Sequence, residues 1–99
     1  MKTQVISIEP TSINLGFNVV VLIGTKQHEF TLNVETATVA DRQIQGIRGD
    51  EYFLNLFRFN QNLGVKIYQL VSQMREGNSL SFPVEIGEFY AEELELASK

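Results

Sequence analysis

The residues of this chain that could do chemistry are few, and their spacing does not assemble them. His28 is the only histidine and the chain holds no cysteine, so the usual zinc ligand sets cannot form. As a general base His28 would need an orienting carboxylate, and the sequence identifies none for it. Asp50-Glu51 and Glu92-Glu93 are paired acids, but neighbours on a helix diverge by about 100° and do not face one proton or metal. There is no Gly-rich phosphate loop, nucleophile elbow or metal-spaced acidic loop. The sequence therefore predicts no catalytic residues, no metal and no cofactor.

Three weaker constellations are left. Arg42 and Arg48 flank a poorly patterned stretch and form a candidate anion patch. His28, Phe30, Phe53 and Phe57 would line a ligand pocket if a helix arched over a sheet. Arg48-Gly49-Asp50 spells a tripeptide used by extracellular adhesion ligands; in a chain expected to be cytoplasmic it reads as a loop ending at a helix cap.

Ninety-nine residues, 43% of them hydrophobic, are enough for one domain with a core of its own. The absence of cysteine excludes disulfides and thiolate chemistry. The longest apolar run, Val19 to Ile23, is far short of the roughly 20 residues that span a bilayer, and Met1-Lys2-Thr3 leads into a strand pattern, so a cytoplasmic, non-membrane protein is expected. The net charge of −4 is concentrated at the end: Glu85, Glu88, Glu92, Glu93 and Glu95 stand against Lys99, and the acids and bases of residues 1–84 balance. A neutral body with an acidic end does not attract phosphate backbones, which argues against nucleic acid as a partner. Such an end is a solvated face or a docking segment for a basic protein.

The elements that would position these residues begin with a strand over Thr3 to Glu9, closed by Pro10-Thr11-Ser12. From Ile13 to Gly24 every odd position is apolar, and Val20 and Leu22 make the even face apolar too, as in an interior strand. Gly24-Thr25-Lys26-Gln27 is a short polar break that a β-hairpin would use to lead into His28–Glu35, which alternates cleanly with one wet face. Residues 36–49 follow neither period; their length predicts a hidden short helix or extra strand. A rival arrangement pairs Gln43–Arg48 with Glu51–Phe59 as a hairpin, since Tyr52, Phe53 and Phe57 also favour strands.

From Asp50 to Gly77 the polar residues recur at helical spacing opposite Tyr52, Phe53, Leu56, Phe57, Phe59, Leu63, Ile67, Leu70, Val71 and Met74. Asp50 is a suitable N-cap and Gly77 a suitable C′ residue. One helix of about 26 residues would run roughly 39 Å, beyond the diameter of about 32 Å of a compact chain this size. A bend at Asn60–Gly64 would give a self-contained fold, whereas a straight helix would overhang and call for a second copy. Leu80, Phe82, Val84 and Ile86 alternate in a last strand that Pro83 assigns to an edge. The acidic C-terminal segment, residues 88–99, reads as a helix or a further strand.

The sequence thus predicts an α+β fold: a mostly antiparallel sheet of about four strands, in the order β-β-β-α-β, with one long amphipathic helix on one face. The function it favours is a small non-catalytic binding or assembly module that forms a homodimer through Tyr52, Phe59, Leu63 and Phe82. A small-ligand pocket and a regulatory protein docking a basic partner through its acidic end are the alternatives.

Overall fold

The computed structural model describes residues 1–11 and 16–90. Strands β1 (Lys2–Pro10), β2 (Gly16–Ile23), β3 (Lys26–Val39) and β4 (Arg42–Gly49) are followed by helices α1 (Glu51–Leu56) and α2 (Gln61–Arg75) and by strand β5 (Val84–Glu88). The strands form one antiparallel sheet in the order β4-β3-β2-β1-β5. The fold is therefore α+β with an antiparallel sheet, but with five strands and not four, and the helical part is in two pieces. Ile13, Leu15 and residues 91–99, which hold most of the acidic end, lie outside the described residues.

Two-residue turns set the register of both long hairpins. Ile23 pairs with Lys26 across Gly24 (φ +60°) and Thr25, a glycine-first turn whose twist matches that of the strands. Val39 pairs with Arg42 across Ala40 (φ 51°) and Asp41 (φ 63°), so two residues with side chains occupy the left-handed region. A left-handed alanine costs about 1 kcal/mol or more. Replacing the pair by Asn-Gly (Ala40→Asn with Asp41→Gly) is expected to stabilise the hairpin by roughly 1 kcal/mol, read as slower amide exchange beside the turn. Unchanged exchange there would contradict a strained turn.

Residues 36–49, which the sequence left unpatterned, are the continuation of β3 and the whole of β4. Pairing of β4 with β3, and helical structure at Glu51–Leu56, replace the rival hairpin of 43–48 with 51–59. From Glu35 to Gly46 every residue is exposed, so the two strands leave the body as a bare ribbon. That bareness explains the missing pattern: alternation in a sequence records one buried face, and this arm has none.

One face of the sheet supplies the core. Val5, Ile8, Val19, Val21, Ile23, Phe30 and Leu32 are buried against Phe53 of α1, Phe57 at its C-cap and the stripe Leu63, Ile67 and Val71 of α2. A bulge between Val5 and Ser7 lets Val5 and Ile8, three residues apart, both point inward.

The helical stretch breaks at Phe57–Asn60, ahead of Gly64. Asn60 is buried and its side chain is already engaged: Nδ2 donates to the Tyr90 carbonyl at 3.1 Å and Oδ1 accepts from the Tyr90 N–H at 2.8 Å. It caps α2 by position, with no side-chain bond to the helix. The break removes the length conflict, and with it the overhanging helix that favoured a second copy. Gly77 (φ +89°) closes α2 as expected: its N–H donates to the Met74 carbonyl, and the Asn78 N–H to that of Gln73. β5 lies at the sheet edge that Pro83 predicted, but it starts at Val84, so Leu80 and Phe82 precede the strand.

Candidate functional site

The entry to α1 positions Phe53 and Phe57 over β3, which carries the other two candidate pocket residues, His28 and Phe30. Asp50 Oδ1 accepts from the Phe53 N–H and Oδ2 from the Thr31 N–H, both at 2.9 Å, and the Asp50 N–H donates to the Thr31 carbonyl at 2.9 Å. One side chain thus caps the helix and extends the β3–β4 ladder. Gly49, buried beside it, donates its N–H to the Tyr68 hydroxyl at 3.2 Å. Arg48-Gly49-Asp50 is accordingly a strand-to-helix junction whose carboxylate is bonded within the fold.

The junction delivers Phe53 and Phe57 onto Phe30, with ring centroids 5.0 Å (Phe30–Phe53), 5.8 Å (Phe30–Phe57) and 5.2 Å (Phe53–Phe57) apart. These three pocket candidates do come together, but they are almost fully buried and fill the space between helix and sheet with their own rings. His28 stands at the rim of this cluster, where its Nδ1 hydrogen-bonds the exposed Tyr52 hydroxyl.

Burial, and secondarily the Lys26 ammonium, hold the His28 imidazole below its ordinary pKa of 6.5. The unfolded chain takes up the proton at 6.5 and the folded chain only at lower pH. Stability associated with His28 is therefore full above 6.5 and declines as pH falls through the folded value. His28→Gln is expected to remove that part of the acid slope in urea titrations; an identical slope would mean that His28 titrates alike in both states.

The open volume lies on the other side of the aromatic layer. A cleft of about 320 Å³ between α1 and α2 is lined by Phe53, Leu54, Phe57, Arg58, Gln61, Gly64, Val65 and Tyr68. Phe53, Phe57 and Tyr68 give it apolar walls, Leu54 and Val65 are exposed at it, and the Arg58 guanidinium packs on the Phe59 ring 5.4 Å from its centroid. Sequence reasoning missed Leu54, Arg58, Gln61 and Val65, because each lies off the buried arc and nothing in the helical period marks a cleft.

Gly64 lies where α2 faces Phe53 and Phe57, with room for a side chain. A Cβ there would lie 3.4 Å from Phe53 Cζ and 3.6 Å from Phe57 Cβ, ordinary contact distances. Gly64→Ala is expected to raise the thermal midpoint, by up to about 1 kcal/mol of helix propensity. A lower midpoint would mean that the helices cannot accommodate a methyl group there.

The other candidates separate. Of the self-association set, Tyr52 and Phe59 are exposed (Phe59 at 57%), Phe82 is half-buried against the core, and Leu63 is fully buried at 0% and cannot serve as surface. Leu63 falls on the Leu63-Ile67-Val71 stripe that faces the sheet, which is why the hydrophobic arc alone did not distinguish it. Arg42 and Arg48 do not converge: they stand six residues apart on β4, about 20 Å at strand rise. Arg48 instead shares a polar cleft of about 360 Å³ with Glu35, Asp50 and Glu51, a predominantly acidic setting unsuited to an anion. Glu88, at the start of the acidic segment, pairs with the Met1 ammonium at 3.0 Å.

Among the described residues no group of three or more His, Asp or Glu side chains is placed to hold a metal ion, and no helix is long and apolar enough to cross a membrane. Fold and surface together define a class, a small α+β protein whose helices cover one face of an antiparallel sheet and whose β3–β4 hairpin runs on as an exposed ribbon from Glu35 to Gly46. No protein-family model matches the chain, and neither curated proteins nor solved structures contain a significant match to it.

Proposed function

We propose that the chain is a small non-catalytic binding or assembly module that self-associates. The observation that carries this reading is the bare β3–β4 ribbon, exposed from Glu35 to Gly46, with Val39 and Ile44 at 54% and 51% exposure. A two-stranded ribbon alone is marginally stable in water, and an uncovered sheet edge with apolar side chains is a template for pairing. The helices lend this no support, since their break makes that part of the fold self-contained. Sedimentation velocity across the micromolar range is expected to show a concentration-dependent shift from monomer to dimer; a clean monomer throughout would overturn the reading.

A second reading is favoured by the α1–α2 cleft, whose apolar walls and single rim cation suit a small amphipathic anion. Its test is a thermal-shift screen of such ligands: stabilisation lost in Val65→Trp, which fills the cleft from its exposed side, supports it, and silence across the screen counts against it.

A further inference from the structure

We infer that β4 is the seam of a symmetric dimer in which two copies pair antiparallel about a two-fold axis through Ile44, a surface that presupposes the self-association proposed above. The direction of the backbone groups comes first. The Asp50 N–H points toward β3 and donates to the Thr31 carbonyl, whereas the Gly49 N–H points the other way and is met by the Tyr68 hydroxyl. Backbone groups alternate along a strand and the β3–β4 register runs without a bulge, so Gln43, Gln45 and Ile47 direct their N–H and C=O away from β3 as Gly49 does. The two-residue turn gives the same phase, because its closing pair, Val39 and Arg42, is a hydrogen-bonded one. β4 is the end strand of the sheet, and Tyr68 covers only the Gly49 end of this row.

The register follows from symmetry. A strand that pairs with its own copy across a two-fold axis must match its own reverse, and Gln43-Ile44-Gln45 does. With the axis at Ile44, the two Ile44 side chains meet, each Gln43 faces a Gln45, and each Arg42 faces a Gly46, around which no atom lies within 4 Å of a would-be Cβ. Moving the axis to Gln45 would set Arg42 opposite Arg48 of the second copy, a like-charge pair, and moving it to Gln43 runs the pairing into the turn at Ala40–Asp41.

Side chains complete the match. On the face away from the helices Ile44 lies beside Ala37 and near Val39, so the seam would join two small apolar patches into one strip. On the helix face the glutamines of the two copies come side by side, and Gln45 Oε1 also accepts from Arg75 of α2. An edge of this length buries less than the roughly 1,200 Å² of a standard interface, which makes the dimer weak and concentration-dependent.

The test uses the absence of cysteine. The Ile44 pair is of the non-hydrogen-bonded kind, with Cα atoms about 4.5 Å apart, inside the disulfide range of about 4.4–6.8 Å. Ile44→Cys is expected to oxidise to a covalent dimer at least about tenfold faster than Thr38→Cys, which is exposed on the same ribbon but faces away from the seam. Gln43→Pro removes an outward N–H that the β3 ladder does not use, and is expected to raise the dimer dissociation constant roughly tenfold or more with an unchanged circular dichroism spectrum. Should the natural chain dimerise while Ile44→Cys cross-links no faster than Thr38→Cys, the seam lies elsewhere and self-association stands. Should the natural chain remain monomeric and Ile44→Cys stay uncross-linked, both fail.

Discussion

Gly49→Ala is expected to destabilise the protein by roughly 3 kcal/mol, the upper part of the range for an overpacked core. A Cβ at this position would lie 2.2 Å from Phe53 Cδ1 and 2.7 Å from Cγ, so the ring would have to move. Its movement is resisted on three sides: Phe53 is 2% exposed and packs on Phe30, Phe57 and Tyr68 at centroid distances of 5.0, 5.2 and 5.2 Å. The demand for glycine is one of space and not of backbone angle, which makes it separable. Combining Gly49→Ala with Phe53→Leu should cost less than the sum of the two single changes in urea unfolding, since the smaller side chain yields the room. Strict additivity would show that the methyl group is accommodated some other way.

Asp50→Ala is expected to cost about 2–3 kcal/mol, because two backbone donors lose their acceptor at once. The Phe53 N–H begins α1 and the Thr31 N–H belongs to β3, each 2.9 Å from a different carboxylate oxygen. Asp50→Asn should fall between, since an amide oxygen keeps the helix cap while its NH₂ turns a donor toward Thr31, or the reverse. Chemical denaturation of the three proteins checks the order. A loss of only a few tenths of a kcal/mol in Asp50→Ala would mean that water replaces the carboxylate at both donors.

The parts of this fold that were legible in the sequence are those where burial or a cap leaves a mark on residue type. β2 and the first half of β3 alternate because their helix-facing side chains are in the core; Asp50 and Gly77 bracket the helical region because helix ends need an acceptor and a left-handed residue. Pro83 marked the edge position of the last strand. β4 was not legible, since Arg42 to Gly46 lies on a ribbon with no buried side and only Ile47 of the strand's apolar side chains packs against the core.

The break at Phe57–Asn60 meets the expected bend at Asn60–Gly64 only at Asn60. Phe57 and Leu63 on either side of the turn serve the same core, and the turn residue Asn60 is bonded to Tyr90, thirty residues away, a partner that no local spacing reveals. The aromatic residues show a similar limit. Phe30, Phe53 and Phe57 pack together with His28 beside them, but residue type cannot say whether aromatic rings surround a space or fill it; here they fill it, and the space lies outside them.

The amides of Gln43 and Gln45 report on the β4 seam most directly. Measured by hydrogen exchange at rising protein concentration, these two are expected to exchange freely in dilute solution and gain protection as copies pair, while Ile44, bonded within its own hairpin, changes far less. Exchange at Gln43 and Gln45 that stays independent of concentration throughout the micromolar range would contradict it.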